Sequence, residues 1–458
     1  MLYKRGEKMT TTKTRGKRVI TPFQLLVSYY FIAIATSFLL LRIPAVYQEG
    51  KEVSLVDSLF TAVSAVSVTG LTVFDINATF TPFGIVVLLV ILQLGAIGIM
   101  SLGTFLWIIT GKKIGMRERQ LIMIDHNQYS ISGVVQLLKE IVKILFMIEA
   151  VGALILSIHF HQYFETWGKA IEHGVFASIS ATTNGGFDIT GESLKPFHGD
   201  YFVQFITMIL IMLGAIGFPV LIEIKNFLLR KDQAFRFSLF TKITTSTYGI
   251  LMVVGTVVIL LIESFQSFRG MPWHEKLFTA MFHSVSARSG GLTTYDVSSF
   301  SEATDIFLSF LMFIGSSPSS VGGGIRTTTF ALAILFLYNF ANGRTEIQLF
   351  GREIYLIDIF RSYVVIILAF FMVMIATMIL LITEPYATTT QIIFEITSAF
   401  GTSGMSLGIT SDLSTEGKFV VMALMFIGRV GLISFLYTLG GKADKPPYRY
   451  PKERVIIG

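Results

Sequence analysis

The chain has 458 residues, 52% of them hydrophobic and 14% charged, with a mean hydropathy of +0.67 and a net charge of +6. Soluble domains carry about 25% charged residues, so a water-soluble globular class is excluded and the chain belongs in a bilayer. It contains no cysteine, which excludes a disulfide framework and any Cys-based metal or redox site.

Residues 1–20 form a basic N-terminal tail (Lys4, Arg5, Lys8, Lys13, Arg15, Lys17, Arg18). It is read as retained, because the apolar run behind it is too long for the core of a signal peptide. Further basic groups follow in GKKIGMRER, from Lys225 to Lys242, from Arg344 to Arg361, and after Gly441. Short loops rich in Lys and Arg stay on the inner side of a membrane, which places all five groups and both termini in the cytoplasm. Between consecutive groups lie two long apolar segments, each near the roughly 20 residues that a spanning helix needs. The chain therefore goes out and back four times. The expected fold is an all-α integral membrane protein with eight transmembrane helices, divided as 21–110, 111–230, 231–341 and 342–440 and closed by a cytoplasmic tail, 441–458. The positive balance follows from this inside bias and attracts anionic membrane lipids; its spread along the chain speaks against a nucleic-acid partner.

Each outward excursion repeats one internal order. After its first long helix comes a short apolar segment, too short to cross, ending in a glycine-containing tip: SAVSVTGLTVFD, SISATTNGGFDI, SVSARSGGLTTYD and TSAFGTSGMSLG. Aligning Gly70, Gly185, Gly290 and Gly404 gives a period of about 105–115 residues, the mark of one domain-sized unit repeated. A second register, Gly95, Gly214, Gly315 and Gly428, follows each tip at 24–29 residues. The expected architecture is four helix–pore loop–helix repeats with four-fold pseudosymmetry around one pore.

Irregular backbone at membrane depth is tolerated only against protein or a wet cavity, so the four tips are expected to converge on an axis. Tip glycines admit positive φ and close approach. The carbonyls before them can then form rings that replace the water around a dehydrated cation. The candidate filter is Val68, Thr69 and Gly70; Thr183, Asn184 and Gly185; Arg288, Ser289 and Gly290; Thr402, Ser403 and Gly404. Arg288 would repel cations if it faced the pore, so it is expected behind the filter, bracing it through carbonyls or a carboxylate such as Glu395. Asp75, Asp188 and Asp296 follow three of the tips and are candidates for an outer mouth that concentrates cations.

The sixth span is interrupted by GSSPSSVGGGIRTTT, which places Pro318 and three glycines where a helix would run. Pro costs about 3 kcal/mol and Gly about 1 in a helix interior. Gly315, Ser316, Ser317, Pro318, Ser319, Ser320, Gly322, Gly323 and Gly324 are therefore expected to form a loop beneath the filter. Arg429, one residue beyond the aligned Gly428, is expected to donate to that loop and complete a gate. The three glycines lack the preceding strand and the following GK[ST] of a phosphate loop. His159 and His161 fall on opposite sides of a helix, which opposes a metal pair. No nucleophile–base pair or metal cluster suggests an enzyme.

The four tips, the eight-helix order and the glycine-rich break resemble the Trk/Ktr/HKT superfamily of potassium transporters across nearly the whole chain, and its KtrB-type subunits most. The resemblance implies a filter glycine in each repeat and potassium as the transported ion, since some members with serine in the first position prefer sodium where Gly70 stands here. It also implies a homodimer, a cytoplasmic nucleotide-binding RCK-type ring (KtrA-like), sodium as an activator, and a bacterial plasma membrane. No cofactor is expected in this chain. The expected function is channel-like potassium uptake; a secondary cation symporter with an alternating-access site is the alternative, which inverted repeats rather than these parallel ones would favour.

Overall fold

The computed structural model describes residues 22–98, 133–229 and 236–439, with residues 115, 116, 119, 123, 451, 453 and 455 besides. The N-terminal tail, most of the second basic group and nearly all of the C-terminal tail, expected in the cytoplasm, lie outside the described residues.

The described chain is built of helices apart from one small hairpin. The first unit contains α1 (Pro22–Leu41), α2 (Leu55–Ser67) and α3 (Pro82–Ile97). The second contains α4 (Val134–Phe160), α5 (Trp167–Thr182), α6 (Tyr201–Ala215) and α7 (Phe218–Leu229). The third contains α8 (Leu239–Glu263), α9 (Trp273–Ser286), α10 (Glu302–Ile314) and α11 (Thr327–Ala341). A hairpin of β1 (Gln348–Leu349) and β2 (Arg352–Glu353) leads to the fourth, α12 (Leu356–Thr383), α13 (Thr389–Gly401), α14 (Thr415–Val430) and α15 (Leu432–Leu439).

Among the described residues, four helices, within α1, α4, α8 and α12, are long and apolar enough to cross a membrane, and α6 with α7 would make a fifth if their 106° bend is taken as one span. The helix that follows each short one is capped alike. Thr81, Asp200, Ser301 and Ser414 accept from the backbone N–H three residues on, at Gly84, Val203, Thr304 and Gly417. These polar caps satisfy orphan amide groups and fix where the helix begins.

Each of these second helices also stops early, at a positive-φ residue only glycine adopts freely: Gly98 (φ 82°), Gly217 (101°), Gly315 (68°) and Gly431 (87°). The sequence suggested a break only in the third unit, and it aligned Gly315 with Gly95, Gly214 and Gly428. The structure corrects that register: Gly315 matches the break glycines, three residues further along. Gly95, Gly214 and Gly428 instead lie one turn earlier, where a Cβ would collide with the carbonyls of Val66, Thr182 and Phe400 at the end of the same unit's short helix.

The four units close on themselves. The short helices α5, α9 and α13 each pack on the second helix of the unit before them, α3, α6 and α10, while α2 of the first unit packs on α14 of the fourth. The last contact is sealed by an ion pair, Lys418 Nζ to Asp57 Oδ1 at 2.7 Å.

Candidate functional site: an axial constriction and the loop beneath it

The short helices α2, α5, α9 and α13 end where the four tips meet. Their C-terminal partial negative charges thus converge on one point, which favours a cation there. A Cβ built on Gly186 would come 3.2 Å from the Cα of Gly70 and 3.3 Å from that of Gly291, and one on Gly404 would lie 3.2 Å from the Cα of Gly70. One on Gly291 would likewise meet Gly404 at 3.2 Å. Gly70, Gly186, Gly291 and Gly404 therefore close a ring, all at positive φ (93°, 67°, 69° and 92°). The carbonyl oxygens of Thr69, Gly185 and Ser403 lie in the ring, against Gly404, Gly70 and Gly291 in turn.

This shifts two of the expected positions by one residue. Gly185 and Gly290 do not occupy the ring glycines' place; a Cβ on them would meet Leu92 and Ile211 side chains at 2.9 and 2.8 Å. The signal that sets the register was present in the sequence as a dipeptide in all four units: Ser64-Ala65, Ser180-Ala181, Ser286-Ala287 and Ser398-Ala399. Gly70, Gly186 and Gly404 stand six residues beyond these serines and Gly291 five. The missing residue has a structural meaning. In the other three units the residue two before the ring glycine is left-handed, Val68 (φ 56°), Asn184 (54°) and Thr402 (48°), whereas the third unit has no such residue. Val68 and Thr402 are β-branched, so that conformation is strained, a state that persists only where the surroundings impose it.

The same serines brace the tips. Ser64 and Ser398 accept from the N–H groups of Gly70 and Gly404, each at 3.1 Å. Ser180 and Ser286 donate to the carbonyls of Phe187 and Leu292, at 2.6 and 2.5 Å. Ser403 Oγ donates to Ala287 O at 2.8 Å, linking the fourth tip to the third, and Ser67 and Thr69 share a hydroxyl contact of 2.7 Å. Thr183 bonds back to Ile179 O at 2.7 Å. With its amide turned to satisfy both ends, Asn184 donates to Ile211 O and Ala181 O and accepts from Ala215 N–H.

Arg288 is 0% exposed and points behind the tip. Its guanidinium carbon lies 3.4 Å from the centroid of the Tyr248 ring on α8, and Nη1 donates to Tyr248 O at 3.3 Å. Glu395 is not its partner: that carboxylate is occupied by the hydroxyls of Ser406 and Thr410, in the segment after the fourth tip.

The break in the third unit places its loop directly under the ring. Gly322 abuts Ser289 Oγ, and a Cβ on Gly323 would meet the Thr402 side chain at 2.8 Å. The Ser289 and Thr402 hydroxyls are buried without a hydrogen-bond partner among the described residues. The loop is anchored to the break between α6 and α7: Ser317 N–H donates to Ala215 O (3.1 Å), Val321 N–H to Gly214 O (3.3 Å), and Phe218 N–H to Ser319 O (2.9 Å). A Cβ on Gly217 would meet Pro318 O at 2.7 Å. Within the loop, Ser316 N–H donates to Gly323 O and the Ser316 and Ser320 hydroxyls meet at 2.8 Å.

Arg429 does not hold this loop. Its guanidinium donates to Gly95 O and, at 3.4 Å, to Ala96 O, the end of α3. Arg326, which sequence reasoning passed over, takes the expected part: Nη1 donates to Ser316 Oγ (3.2 Å), Ser317 O (3.4 Å) and Gly322 O. Its own φ of 80° is unusual for a side-chain-bearing residue.

The three aspartates cap the loops that follow three of the tips. Asp75 accepts from Asn77 N–H (2.8 Å), Asp188 from the Thr190, Gly191 and Ser193 N–H groups, and Asp296 from Ser298 N–H while pairing with Lys195 at 3.6 Å. Partial burial pushes the Asp296 carboxyl up, but the bonds from Ser298 and the charge of Lys195 outweigh it and hold it below the usual carboxylate range. His159 binds Asp200 while His161 stacks on Trp167 at 4.0 Å, so the two rings diverge.

A chain of apolar helices closing a ring of strained tips over an axial loop defines a membrane transport protein. The model of the TrkH family, described as cation transport protein, matches residues 2–440, and the chain belongs to that family. It is 53% identical over 441 residues to the Ktr system potassium uptake protein D of Bacillus subtilis (strain 168), covering 96% of this chain and 98% of that protein. It is 32% identical over 457 residues to the potassium/sodium uptake protein NtpJ of Enterococcus hirae, covering 98% of this chain and 100% of that one. The crystal structure of the potassium transporter TrkH from Vibrio parahaemolyticus superposes with a TM-score of 0.72 at 18% identity, over 93% of this chain and 86% of that chain. That likeness concerns the fold.

Proposed function

We propose that this chain takes up potassium across a bacterial plasma membrane by channel-like permeation along the axis ringed by Gly70, Gly186, Gly291 and Gly404. The observation that carries the reading is the ring itself: four positive-φ glycines in mutual contact, with the oxygens of Thr69, Gly185 and Ser403 set among them. Carbonyl oxygens held by strained backbone can replace the hydration shell of a cation and reject a smaller one that they cannot all reach. The unpartnered hydroxyls of Ser289 and Thr402 offer further oxygen ligands below the ring. In this reading the chain has eight spans, both termini in the cytoplasm and four-fold pseudosymmetry, and Asp75, Asp188 and Asp296 enrich cations at the outer mouth.

Potassium as the ion is supported by the names of the relatives, and a link to sodium by that of the Enterococcus protein, which is named for potassium/sodium uptake; sodium is read here as an activator. The loop Gly315–Gly324, pinned by Arg326 and flanked by Arg429, obstructs the path and acts as its gate. A homodimer under the control of a cytoplasmic RCK-type ring fits a relative described as part of a Ktr system.

The test is rubidium flux into liposomes holding the purified chain, with a potential imposed and with sodium present or absent. Flux that follows the potential, is competed by potassium before sodium and persists without a sodium gradient is expected. Flux that requires a sodium gradient whatever the potential would turn the assignment to a symporter.

A further inference from the structure

The four short helices carry different residues at one equivalent place. Three positions before the bracing serines Ser64, Ser180, Ser286 and Ser398 stand Thr61, Ala177, His283 and Glu395. Thr61 Oγ1 and His283 Nδ1 turn back to carbonyls of their own helices, Asp57 O at 2.9 Å and Thr279 O at 2.8 Å. Glu395 reaches instead to the segment that leaves the fourth tip. It is 0% exposed, and no ion pair to a cation is found for it among the described residues. In the second and third units the bracing serine itself holds this exit, by donating to the carbonyl of the residue after the ring glycine. In the fourth, Ser398 is the acceptor of the Gly404 N–H, and the exit falls to Glu395.

A count of hydrogens decides the form of that carboxyl. Glu395 Oε2 meets Ser406 Oγ at 2.8 Å, Ser406 Oγ meets Thr410 Oγ1 at 2.8 Å, and Thr410 Oγ1 closes the circle on Glu395 Oε1. Three oxygen–oxygen contacts need three hydrogens, and each of the two hydroxyls has one. The Gly408 N–H does not supply the third, since it donates from outside the circle to Ser406 Oγ at 3.0 Å. With an ionised carboxylate, one contact would press two bare oxygens together. A proton on Glu395 supplies the missing hydrogen: Oε1–H donates to Thr410, Thr410 to Ser406, and Ser406 to Oε2. A buried charge without a cation is costly, whereas hydrogen bonds running head to tail polarise and strengthen one another.

We propose that Glu395 is a neutral carboxylic acid and the positioning residue of the fourth tip, its proton closing the circle that fixes Ser406, two residues beyond Gly404, against α13. The tip is then held at Gly404 by Ser398 and beyond it by Glu395. Between these restraints and the end of α13, Thr402 is kept left-handed (φ 48°) and the Ser403 carbonyl stays set against Gly291. The effect on ion selectivity rests on the permeation reading; the proton does not.

The experiment uses the full chain reconstituted in liposomes. The carbonyl-stretch region of its infrared spectrum at neutral pH is compared with that of Glu395→Gln, and loss of one protonated-acid band in the variant is expected. Equal protonated-acid intensity in both would overturn the proposal. In rubidium flux competed by sodium, Glu395→Gln is expected to stay within about twofold of the unaltered chain, because its amide both donates and accepts as the neutral acid does. Glu395→Ala and Thr410→Val open the circle and are expected to lower the preference for potassium about tenfold. A Gln variant as impaired as the Ala variant, or an unchanged preference in both open-circle variants, would also overturn it. Should the variants misfold, solid-state NMR on the unaltered chain carrying 13C-labelled Glu and Thr reads the same point. A Glu carboxyl carbon in contact with threonine at the shift of a protonated acid supports the proposal, and none at that shift refutes it. A chain that shows the acid band but passes no rubidium would refute the permeation reading and keep the neutral acid.

Discussion

The guanidinium carbon of Arg288 lies over the ring of Tyr248, 3.4 Å from its centroid, and no ion pair to a carboxylate is found for it among the described residues. A permanent charge two residues before the tip is thus turned away from the axis and absorbed by an aromatic face and a helix carbonyl. A desolvated contact of this kind contributes about 2 kcal/mol. Arg288→Gln is expected to lose at least that in thermal unfolding and to lower the preference for potassium over sodium, while Tyr248→Leu gives part of the same loss. Additive losses in the double variant would show that the two residues do not act together.

The one-residue shift within the tips separates neighbouring glycines sharply. Gly186→Ala adds a Cβ at φ 67°, between the Cα atoms of Gly70 and Gly291, whereas Gly185→Ala meets first the flexible end of Leu92. Sodium competition against rubidium flux is expected to change by roughly tenfold or more in the first, about 1.4 kcal/mol of discrimination, and little in the second. The reverse order would place the selective ring at Gly185.

The serine collar predicts a graded loss. Ser64→Ala and Ser398→Ala each remove the acceptor of a buried glycine N–H. Leaving such a donor unsatisfied costs about 1–3 kcal/mol. Both variants are expected to unfold at lower temperature and to select less well, and Ser64→Thr to retain more of either property. Unchanged melting and selectivity in the alanine variants would remove the collar from the account.

For the loop, Arg326 is the sharper handle. Arg326→Gln weakens three bonds to Ser316, Ser317 and Gly322, and a loss of about 2 kcal/mol in charge-assisted bonding shifts a closed–open balance some 30-fold. Basal rubidium flux is expected to rise, as it is on deleting Gly322–Gly324. Arg429→Ala is expected to act in the same direction through the end of α3. Basal flux unchanged in all three would refute the gate.

Much of this arrangement was legible from residues. The length of the apolar runs gave the long helices, and Pro318 with its three glycines gave the interrupted one, because each has a direct energetic cost. The tips were found by their glycines, but their register was misjudged in two units. Where glycines are doubled, as at Gly185-Gly186 and Gly290-Gly291, the residue type does not say which one bears the positive φ. The Ser-Ala pair does, through hydrogen bonds that are visible only once the loop is folded. Arg429 and Arg326 were exchanged for a similar reason: depth along a helix could be counted, but the direction of a side chain past a backbone break could not. The breaks at Gly98, Gly217 and Gly431 escaped notice because a lone glycine in an apolar run also reads as a packing residue.

Those breaks give the molecule two mechanical halves. Around the tips, cross-unit helix packing, the Ser403–Ala287 bond and the Lys418–Asp57 pair tie the units to one another. Beyond the tips, α7, α11 and α15 continue their units past a glycine break or, in the third unit, past the loop itself, and pack on α8, α12 and α1 respectively. A glycine break lets the helix beyond it change direction at little backbone cost, so the two parts of each second helix need not move as one rod. The tips can then keep their geometry while the segments beyond the breaks shift.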